Sequence, residues 1–372
     1  MITMQYRALF ILFALCGIFL LACEDDDQPV CDDCEDELID GEYNPTPYTL
    51  EFPNHLGQPI LPADNPLTEE GILLGRMLFY DPILSADSTM SCISCHLQEL
   101  AFTDGKAKSV GIQGIETPRS SMALINLVFV DSVFFWDGRS FTLEDQALLP
   151  IEAHDELNDS WENVENKLRR HNDYPQHFRA AFGIERKSEI TSDLAVKAIA
   201  QFERTLISGN SKFDQVYLNE DRFTEEELFG EELFEVETAI TLEHPGCTHC
   251  HSGVHFTNNA FENNGLDNPG SYEGFVDKGR GAVTGVLFDN GKFRVPTLRN
   301  IALTAPYMHD GRFATLDEVL EHYASGGHGA EFSNVNIRPF NLTEEEKQAL
   351  IAYMNTFTDT TFLNNPAFKS PF

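Results

Sequence analysis

The sequence predicts a mainly α-helical protein made of two similar halves. Apolar residues recur at helical spacing, and almost no stretch alternates apolar and polar residues as a strand does. One pentapeptide pattern, Cys-x-x-Cys-His, occurs twice, at residues 92–96 and 247–251. A predicted helix precedes each copy, so the second half repeats the plan of the first. A length of 372 residues is sufficient for two domains of ordinary size.

The helices are predicted from capping residues and apolar spacing. Thr68 begins the first one, with Leu74 and Leu78 on its apolar face, and Asp81-Pro82 ends it. Leu228 is placed on the inner face of the helix that Thr224 begins. Long loops rich in glycine connect the helices. The remaining helices are predicted over residues 142–149, from 160 onwards, and over 192–206, 315–323 and 342–357.

The repeated pentapeptide is the attachment pattern of c-type haem. Its two thiols add to the two vinyl groups of one porphyrin, and the histidine that follows becomes the proximal iron ligand. Two zinc half-sites or two disulfides are the alternatives, although zinc ligand pairs usually lie closer together in sequence. We therefore expect two covalently bound haem c groups. Their predicted binding residues are Cys92, Cys95, His96, Cys247, Cys250 and His251.

The N-terminus has the pattern of a bacterial export signal. Residues 7–22 begin with a positive charge and continue as an apolar run that is short for a membrane span of about 20 residues. The run closes on Leu20-Leu21-Ala22-Cys23, which resembles a lipobox, so Cys23 is the predicted lipidation site. An uncleaved anchor is the alternative. We assign residues 1–22 to a lipoprotein-type signal peptide and residues 23–54 to an acidic linker.

The protein is strongly acidic, with a formal net charge of −35. This excludes nucleic acid as a partner, because phosphate binding needs a basic surface, and it favours a basic redox partner. The acidic run at residues 24–27 is also similar to the surface-export signals of Bacteroidetes lipoproteins, with a solvated tether as the alternative. The expected location is the periplasm, the outer membrane or the cell surface. Cys31 and Cys34 have no following histidine, so we expect a small disulfide there.

Three further motifs, taken with the two pentapeptides, resemble the bacterial dihaem cytochrome c peroxidase and MauG family over about residues 55–360. This resemblance implies two cytochrome c-like haem domains: an N-terminal peroxidatic domain at residues 55–210 and a C-terminal electron-transfer domain at residues 211–372. One haem reacts with hydrogen peroxide and the other relays electrons. The motifs are Phe-Phe-Trp-Asp-Gly-Arg at 134–139, Pro-Thr-Leu-Arg-Asn at 296–300 and Thr-Ala-Pro-Tyr-Met-His-Asp-Gly at 304–311.

The resemblance also implies three catalytic residues. Trp136 matches the tryptophan between the haems, with a core aromatic residue as the alternative. Gln146 and Glu156 follow it by ten and twenty residues, as do the distal glutamine and catalytic glutamate of the family. Peroxide must lose a proton at one oxygen and regain one at the other, which requires such a carboxylate. A surface role for Glu156 and an acid–base role for His154 are the alternatives.

The stretch after the first pentapeptide departs from classical peroxidases. In those proteins a removable histidine in this loop blocks the peroxidatic haem until the other haem is reduced. Here residues 109–114 contain no histidine, and none occurs between His96 and His154. We therefore predict that the first haem is open to peroxide in the fully oxidised protein, as in MauG.

The distal ligand of the second haem is predicted from its spacing in the family. Classical members use methionine and MauG uses tyrosine, nineteen residues after the threonine of the Thr-Ala-Pro motif. From Thr304 this spacing leads to Tyr323, with Met308 and His322 as alternatives. A phenolate ligand lowers the haem potential, whereas a thioether raises it.

The resemblance further implies one calcium ion. Its expected ligands are the carbonyl oxygens of Thr304 and Pro306, with Ser120 at the position where the family has asparagine. Oxygen ligands suit this hard cation. Three arginines are expected to pair with haem propionates: Arg139, Arg294 and Arg299.

Together these features predict a dihaem c-type oxidoreductase, peroxidase-like or MauG-like. It reduces hydrogen peroxide with electrons from a redox partner or from a substrate that becomes oxidised. The expected electron donor is a small redox protein or a protein substrate. A lipid group anchors it to a membrane. The alternatives are a dihaem electron carrier and a redox sensor, neither of which turns over peroxide.

Overall fold

The computed structural model describes residues 36–37, 43–235, 246–328 and 331–372. The predicted export signal, the lipidation site at Cys23 and the pair Cys31 and Cys34 lie outside the described residues. Within the described ranges, every helix is too short or too polar to span a bilayer.

The predicted mainly α-helical fold is confirmed. In the described part of the chain, the strands are β1 (Phe261–Glu262) and β2 (Phe293–Arg294), which pair antiparallel with Phe261 opposite Arg294. The α-helices are α1 (Glu69–Tyr80), α2 (Leu143–Glu152), α3 (Trp161–Arg170), α4 (Tyr174–Phe182), α5 (Ser192–Glu203), α6 (Lys212–Tyr217), α7 (Glu225–Glu235), α8 (Arg280–Thr284), α9 (Leu316–Ala324), α10 (Glu344–Asn355) and α11 (Thr360–Asn364).

The predicted helix starts are confirmed by capping hydrogen bonds. The hydroxyl of Thr68 accepts from the Gly71 N–H at 3.0 Å, and that of Thr142 accepts from the Asp145 N–H at 3.0 Å. Helices α4, α6, α8 and α11, each of nine residues or fewer, were not predicted, whereas the nine-residue helix α9 was. The inward placement of Leu228 was wrong: its side chain is 46 % exposed, and Leu233 is buried instead.

Close helix packing depends on one glycine in each half. A Cβ atom on Gly75 of α1 would lie 1.8 Å from the Ala198 carbonyl oxygen of α5. A Cβ atom on Gly230 of α7 would lie 2.0 Å from the Ala349 carbonyl oxygen of α10. In both halves, therefore, the helix before the pentapeptide touches the backbone of a later helix, and only glycine permits this distance.

Aromatic side chains fill the core around each pentapeptide. In the first half, Phe79 of α1 packs 5.3 Å from Phe202 of α5, between ring centroids, and 6.4 Å from the His96 ring. In the second half, Phe256 stacks on Phe357 at 3.8 Å. The helices thereby hold the loop that follows each pentapeptide.

The C-terminal segment returns to the first half of the chain. Phe362 and Phe368 are buried in the same cluster as Phe102, with ring centroids 5.7 Å and 6.4 Å from that residue. The division into domains at residue 210 stays a prediction. The C-terminal segment, although assigned to the second domain, packs against residues of the first.

The end of the predicted linker is attached to the helical core. Pro47 forms an antiparallel bridge with Thr68, and the Thr46 N–H donates to the Glu70 carboxylate at 2.8 Å. Ordered packing of the chain therefore begins before residue 54, because the N-terminal turn of α1 provides these polar groups as partners.

A buried ion pair connects α6 to the loop after β2. The guanidinium of Arg299 donates two hydrogen bonds to the Asp214 carboxylate, at 2.8 Å and 2.9 Å, and both side chains are almost completely buried. Burial raises the pKa of Asp214, but the hydrogen bonds from Arg299 and Ser211 dominate and lower it to about 2. The expectation that Arg299 pairs with a propionate is thus wrong, because Asp214 already neutralises its charge.

Replacing Arg299 with methionine should destabilise the protein by about 3–5 kcal/mol, because it leaves the Asp214 carboxylate buried without its cation. Urea unfolding of the purified holoprotein measures this loss. The matched control is Arg312→Met, whose partners Asp310 and Asp267 are partly exposed. It should cost about 1 kcal/mol at most. Equal losses in the two variants would contradict the structural role of the buried pair.

Candidate haem sites

Each pentapeptide folds as one turn of 3₁₀ helix. The Cys95 N–H donates to the Cys92 carbonyl oxygen at 3.1 Å, and the Cys250 N–H donates to the Cys247 carbonyl oxygen at 3.2 Å. In the described chain these four cysteines form no disulfide. Each pair lines its own cavity together with the following histidine.

Both histidines are oriented by a backbone carbonyl group. Nδ1 of His96 lies 2.8 Å from the Phe102 oxygen, and Nδ1 of His251 lies 2.9 Å from the Phe256 oxygen. Because a carbonyl oxygen only accepts, Nδ1 carries the proton and Nε2 keeps a free lone pair. Burial lowers the pKa of both imidazoles, which favours the neutral form that binds iron.

The first cavity has a volume of about 390 Å³ and brings Gln146 and Glu156 to the side chains of the first pentapeptide. Burial raises the pKa of Glu156, the nearby Asp155 charge raises it further, and Arg139 opposes both. The Oε1 atom of Gln146 is buried without a hydrogen-bond partner among the described residues. The cavity therefore contains a carboxyl group and an amide oxygen that can both bind a small polar molecule.

His154 lies outside this cavity. Its side chain is 74 % exposed, although it is only two residues before Glu156. Of the two acid–base candidates, the structure places only Glu156 in the cavity.

The loop without histidine lies against the segment that contains Glu156. The Ile112 N–H donates to the Glu156 carbonyl oxygen at 2.9 Å, and a Cβ atom on Gly111 would lie 2.1 Å from the Asp155 oxygen. Gly111 also lines the first cavity. Residues 109–114 thus form part of the cavity wall without supplying a group that binds iron.

The second cavity has a volume of about 310 Å³ and contains His251, Tyr323 and Met308. Burial raises the pKa of the Tyr323 phenol, and a hydrogen bond from Asn264 opposes this effect. His322 does not line the cavity; its Nε2 atom lies 2.9 Å from the Asn264 carbonyl oxygen. The structure therefore leaves Tyr323 and Met308 as the two candidates.

Trp136 lines both cavities and is bonded to both halves of the chain. Its indole N–H donates to the Ser120 carbonyl oxygen at 2.9 Å, and its own carbonyl oxygen accepts from the Arg294 N–H at 2.7 Å. Trp136 therefore borders both cavities, and its role between two haems stays a prediction.

An ion-pair network that the sequence did not indicate supports the tryptophan loop. Arg119 donates to the Asp137 carboxylate at 2.7 Å and makes a bidentate pair with Asp277 at 2.8 Å. Asp137 adjoins Trp136, and Asp277 belongs to the second half. No sequence pattern indicates a pairing between residues as distant as Arg119 and Asp277. Their opposite charges were the only feature that could have suggested this network.

Arg294 is a buried cation that borders both cavities. Burial lowers its pKa to about 10, and its Nε atom has no hydrogen-bond partner among the described residues. An unpaired buried charge is costly, so this position fits an anionic group such as a haem propionate. Arg139 lines only the first cavity; it pairs with Asp137 and stacks on Phe135 at 3.5 Å.

The three candidate calcium ligands, Ser120, Thr304 and Pro306, all line the second cavity. The Ser120 hydroxyl donates to the Met308 carbonyl oxygen at 2.9 Å. The described residues contain no cluster of three or more His, Cys, Asp or Glu side chains suited to a metal ion.

Glu203 is a buried acid in the first cavity that the sequence analysis missed. Burial raises its pKa to about 8, Glu144 adds to this and Arg204 opposes it, and its Oε2 atom has no partner in the described structure. The sequence feature that could have identified Glu203 is its position as a charged residue on the apolar face of α5.

Three comparisons agree on the family. Residues 69–222 match the family described as di-haem cytochrome c peroxidase. The chain is 36 % identical to the methylamine utilization protein MauG of Methylorubrum extorquens, covering 79 % of this chain and 80 % of that protein. It is 34 % identical to the cytochrome c551 peroxidase of Nitrosomonas europaea, covering 84 % and 87 %. A solved MauG-like protein associated with microbial copper homeostasis superimposes with a TM-score of 0.80 at 35 % identity, covering 87 % and 99 %.

A helical chain with two such cavities and one tryptophan between them is a dihaem oxidoreductase. It belongs to the di-haem cytochrome c peroxidase family. The protein is a MauG-like enzyme with two haem groups that acts on peroxide. Members of this family are periplasmic c-type cytochromes that take electrons from a redox donor.

Proposed function

We propose that the two haems are attached covalently and have different roles. The cysteines of each pentapeptide form the thioether bonds, and Nε2 of His96 and of His251 is the proximal ligand. The first haem reacts with hydrogen peroxide and the second stores or relays electrons. When bound, the first haem iron supplies the position at which peroxide binds and is reduced.

One observation carries this assignment. Glu156, Gln146 and His96 line a single cavity, and the loop that would contain a removable histidine forms its wall without one. A first haem held by His96 is therefore accessible to peroxide in the fully oxidised protein. In the second cavity, Tyr323 and Met308 lie with His251, and the carboxylate on its wall, Glu262, accepts a hydrogen bond from Asn334 at 2.6 Å.

Glu156 moves the proton that peroxide must relocate. The carboxylate accepts a proton from one peroxide oxygen and returns it to the other, which leaves as water. Two electrons from the donor and two protons complete the reduction of one peroxide to two waters. The raised pKa of Glu156 brings its ionisation closer to working pH, which suits a group that must accept and return a proton. The unpaired Oε1 atom of Gln146 accepts a hydrogen bond from the peroxide O–H.

Trp136 couples the two haems. Trp136 lines both cavities, and the hydrogen bonds that it donates to Ser120 and accepts from Arg294 limit its movement. Arg294 pairs with haem propionates at the same boundary, because it is a buried cation that has no anionic partner among the described residues. The second haem has Tyr323 as its distal ligand, and a phenolate there lowers its potential.

Calcium binds on the wall of the second cavity that Ser120, Thr304 and Pro306 form. Backbone and hydroxyl oxygens are suitable ligands for this cation, and these residues adjoin the Ser120 carbonyl that holds Trp136. The ion would therefore stabilise the tryptophan between the haems.

The protein is exported and anchored by lipid on Cys23, in the periplasm, at the outer membrane or on the cell surface. The apolar run ending in Leu20-Leu21-Ala22-Cys23 supports this location. The electron donor is a basic redox protein or a protein substrate that becomes oxidised in the reaction. The net charge of −35 would attract a basic donor.

Replacing Glu156 with glutamine should slow the reaction with peroxide by about 10²–10⁴-fold, because the amide cannot carry the proton. Stopped-flow absorbance of the diferric protein after peroxide addition measures the rate. In the wild type this rate should rise with pH as the carboxyl ionises, with its midpoint above the ordinary carboxyl range, and the variant should lose this dependence.

The matched control is His154→Gln, which removes the exposed acid–base candidate two residues away. It should react within about two-fold of the wild type. A large loss of rate in His154→Gln would assign the acid–base role to His154. An unchanged rate in Glu156→Gln would show that Glu156 does not have this role. No reaction of the wild type with peroxide would overturn the open-site assignment.

Electron paramagnetic resonance of the resting protein should show one high-spin and one low-spin ferric haem, because the first lacks a distal ligand and Tyr323 occupies the second. Tyr323→Phe should change the low-spin signal, and Met308→Leu should leave it unchanged. Two low-spin signals in the wild type would contradict the open first haem. An unchanged signal in Tyr323→Phe would return the ligand to Met308.

The composition of the mature protein provides a further test. Intact mass after denaturation should retain two haem groups and an acyl modification at Cys23, because both are covalent, and elemental analysis should find one calcium. Replacing Cys92 and Cys95 with alanine should remove one covalent haem only. Haem released by denaturation, an unmodified N-terminus or absent calcium would each refute the corresponding assignment.

A further inference from the structure

Asn264 is the residue that contacts both candidate ligands of the second haem. It lies two residues after the end of β1 and lines the second cavity. Its Nδ2 atom lies 3.3 Å from the Met308 sulfur, and its amide also hydrogen-bonds to the Tyr323 phenol. A primary amide has two N–H donors, so both contacts can be made by the same group.

The backbone of Asn264 fixes the helix that contains Tyr323. Its carbonyl oxygen lies 2.9 Å from His322 Nε2, in α9. Because this contact uses the main chain, it remains when the Asn264 side chain is replaced. Side-chain variants should therefore retain the position of α9 and lose only the amide contacts.

The two amide contacts have different effects on the candidates. A hydrogen bond donated to a ligand oxygen withdraws electron density from it and tunes the metal. The contact with the Met308 sulfur holds that thioether against the amide and occupies a sulfur lone pair. Met308 also has a positive φ of 76°, so its backbone is held in an uncommon conformation.

We propose that Asn264 is the positioning residue for the distal ligand of the second haem. Its amide donates to the Tyr323 oxygen and retains the Met308 sulfur, and thereby selects the phenol over the thioether. This inference rests on the proposed ligation by Tyr323. It adds the residue that sets both the choice of ligand and the potential of that haem.

The test uses three variants of the full-length holoprotein: Asn264→Leu, Met308→Leu and the double variant. Potentiometric titration and electron paramagnetic resonance follow the second haem. In Asn264→Leu the freed thioether should replace the phenol, so the midpoint potential should rise and the low-spin signal should change. In the double variant no thioether is present, so the tyrosine stays bound without its donor and the potential should fall below that of the wild type.

Met308→Leu alone should match the wild type, because the tyrosine keeps its hydrogen bond. The matched control is Asn336→Ala, which removes another amide from the wall of the same cavity. In the described structure, Asn336 has no side-chain hydrogen bond to Tyr323 or Met308. Its low-spin signal and midpoint potential should equal those of the wild type.

An unchanged signal in Asn264→Leu, or shifts of the same sign in the single and double variants, would overturn the inference. The variant Tyr323→Phe distinguishes an error in the role of Asn264 from an error in the proposed ligation by Tyr323. If Tyr323→Phe changes the low-spin signal and Asn264→Leu does not, only the role of Asn264 is wrong. If Tyr323→Phe leaves the signal unchanged, the tyrosine ligation is wrong and the role of Asn264 with it.

Discussion

The hydrogen bonds of Trp136 are the contacts on which the arrangement of the two sites depends. Ser120, in the first half of the chain, accepts from its indole N–H, and Arg294, in the second half, donates to its carbonyl oxygen. Because the same residue lines both cavities, these two bonds set the position of one cavity relative to the other. The ion pairs of Arg119 with Asp137 and Asp277 hold the adjoining backbone on both sides.

Both halves use the same local construction for the proximal side. A turn of 3₁₀ helix carries the two cysteines, and a carbonyl oxygen a few residues later orients the histidine. The difference lies in the groups that the later segments bring to each cavity. The first receives Glu156 and Gln146, and the second receives Tyr323 and Met308. A carboxyl group serves proton transfer, whereas a phenol or thioether closes a coordination position.

Much of the fold could be predicted, because helix caps and apolar spacing are local properties of the sequence. Thr68 and Thr142 begin helices as expected, whereas α4, which has no capping hydrogen bond from the side chain of its N-cap residue Asp173, was not predicted. The arginines show the opposite case. Arg299 and Arg294 are five residues apart and equally suited to a propionate, yet Asp214 neutralises only Arg299. Its partner lies far away in sequence, and no local pattern indicates such a pairing.

The sequence by itself determined the number of haem sites and the family. The pentapeptide is the attachment pattern of c-type haem, which requires two thiols and a histidine in a fixed order. Only the tertiary structure decided which neighbouring side chains enter the cavities. His154 and Glu156 are two residues apart, but one is exposed and the other lines the first cavity. Likewise, Asn264 contacts the ligand candidates only because the loop after β1 packs against α9 and the segment that contains Met308. Burial and long-range contacts depend on packing between segments distant in sequence, so they follow from the fold and not from any local pattern.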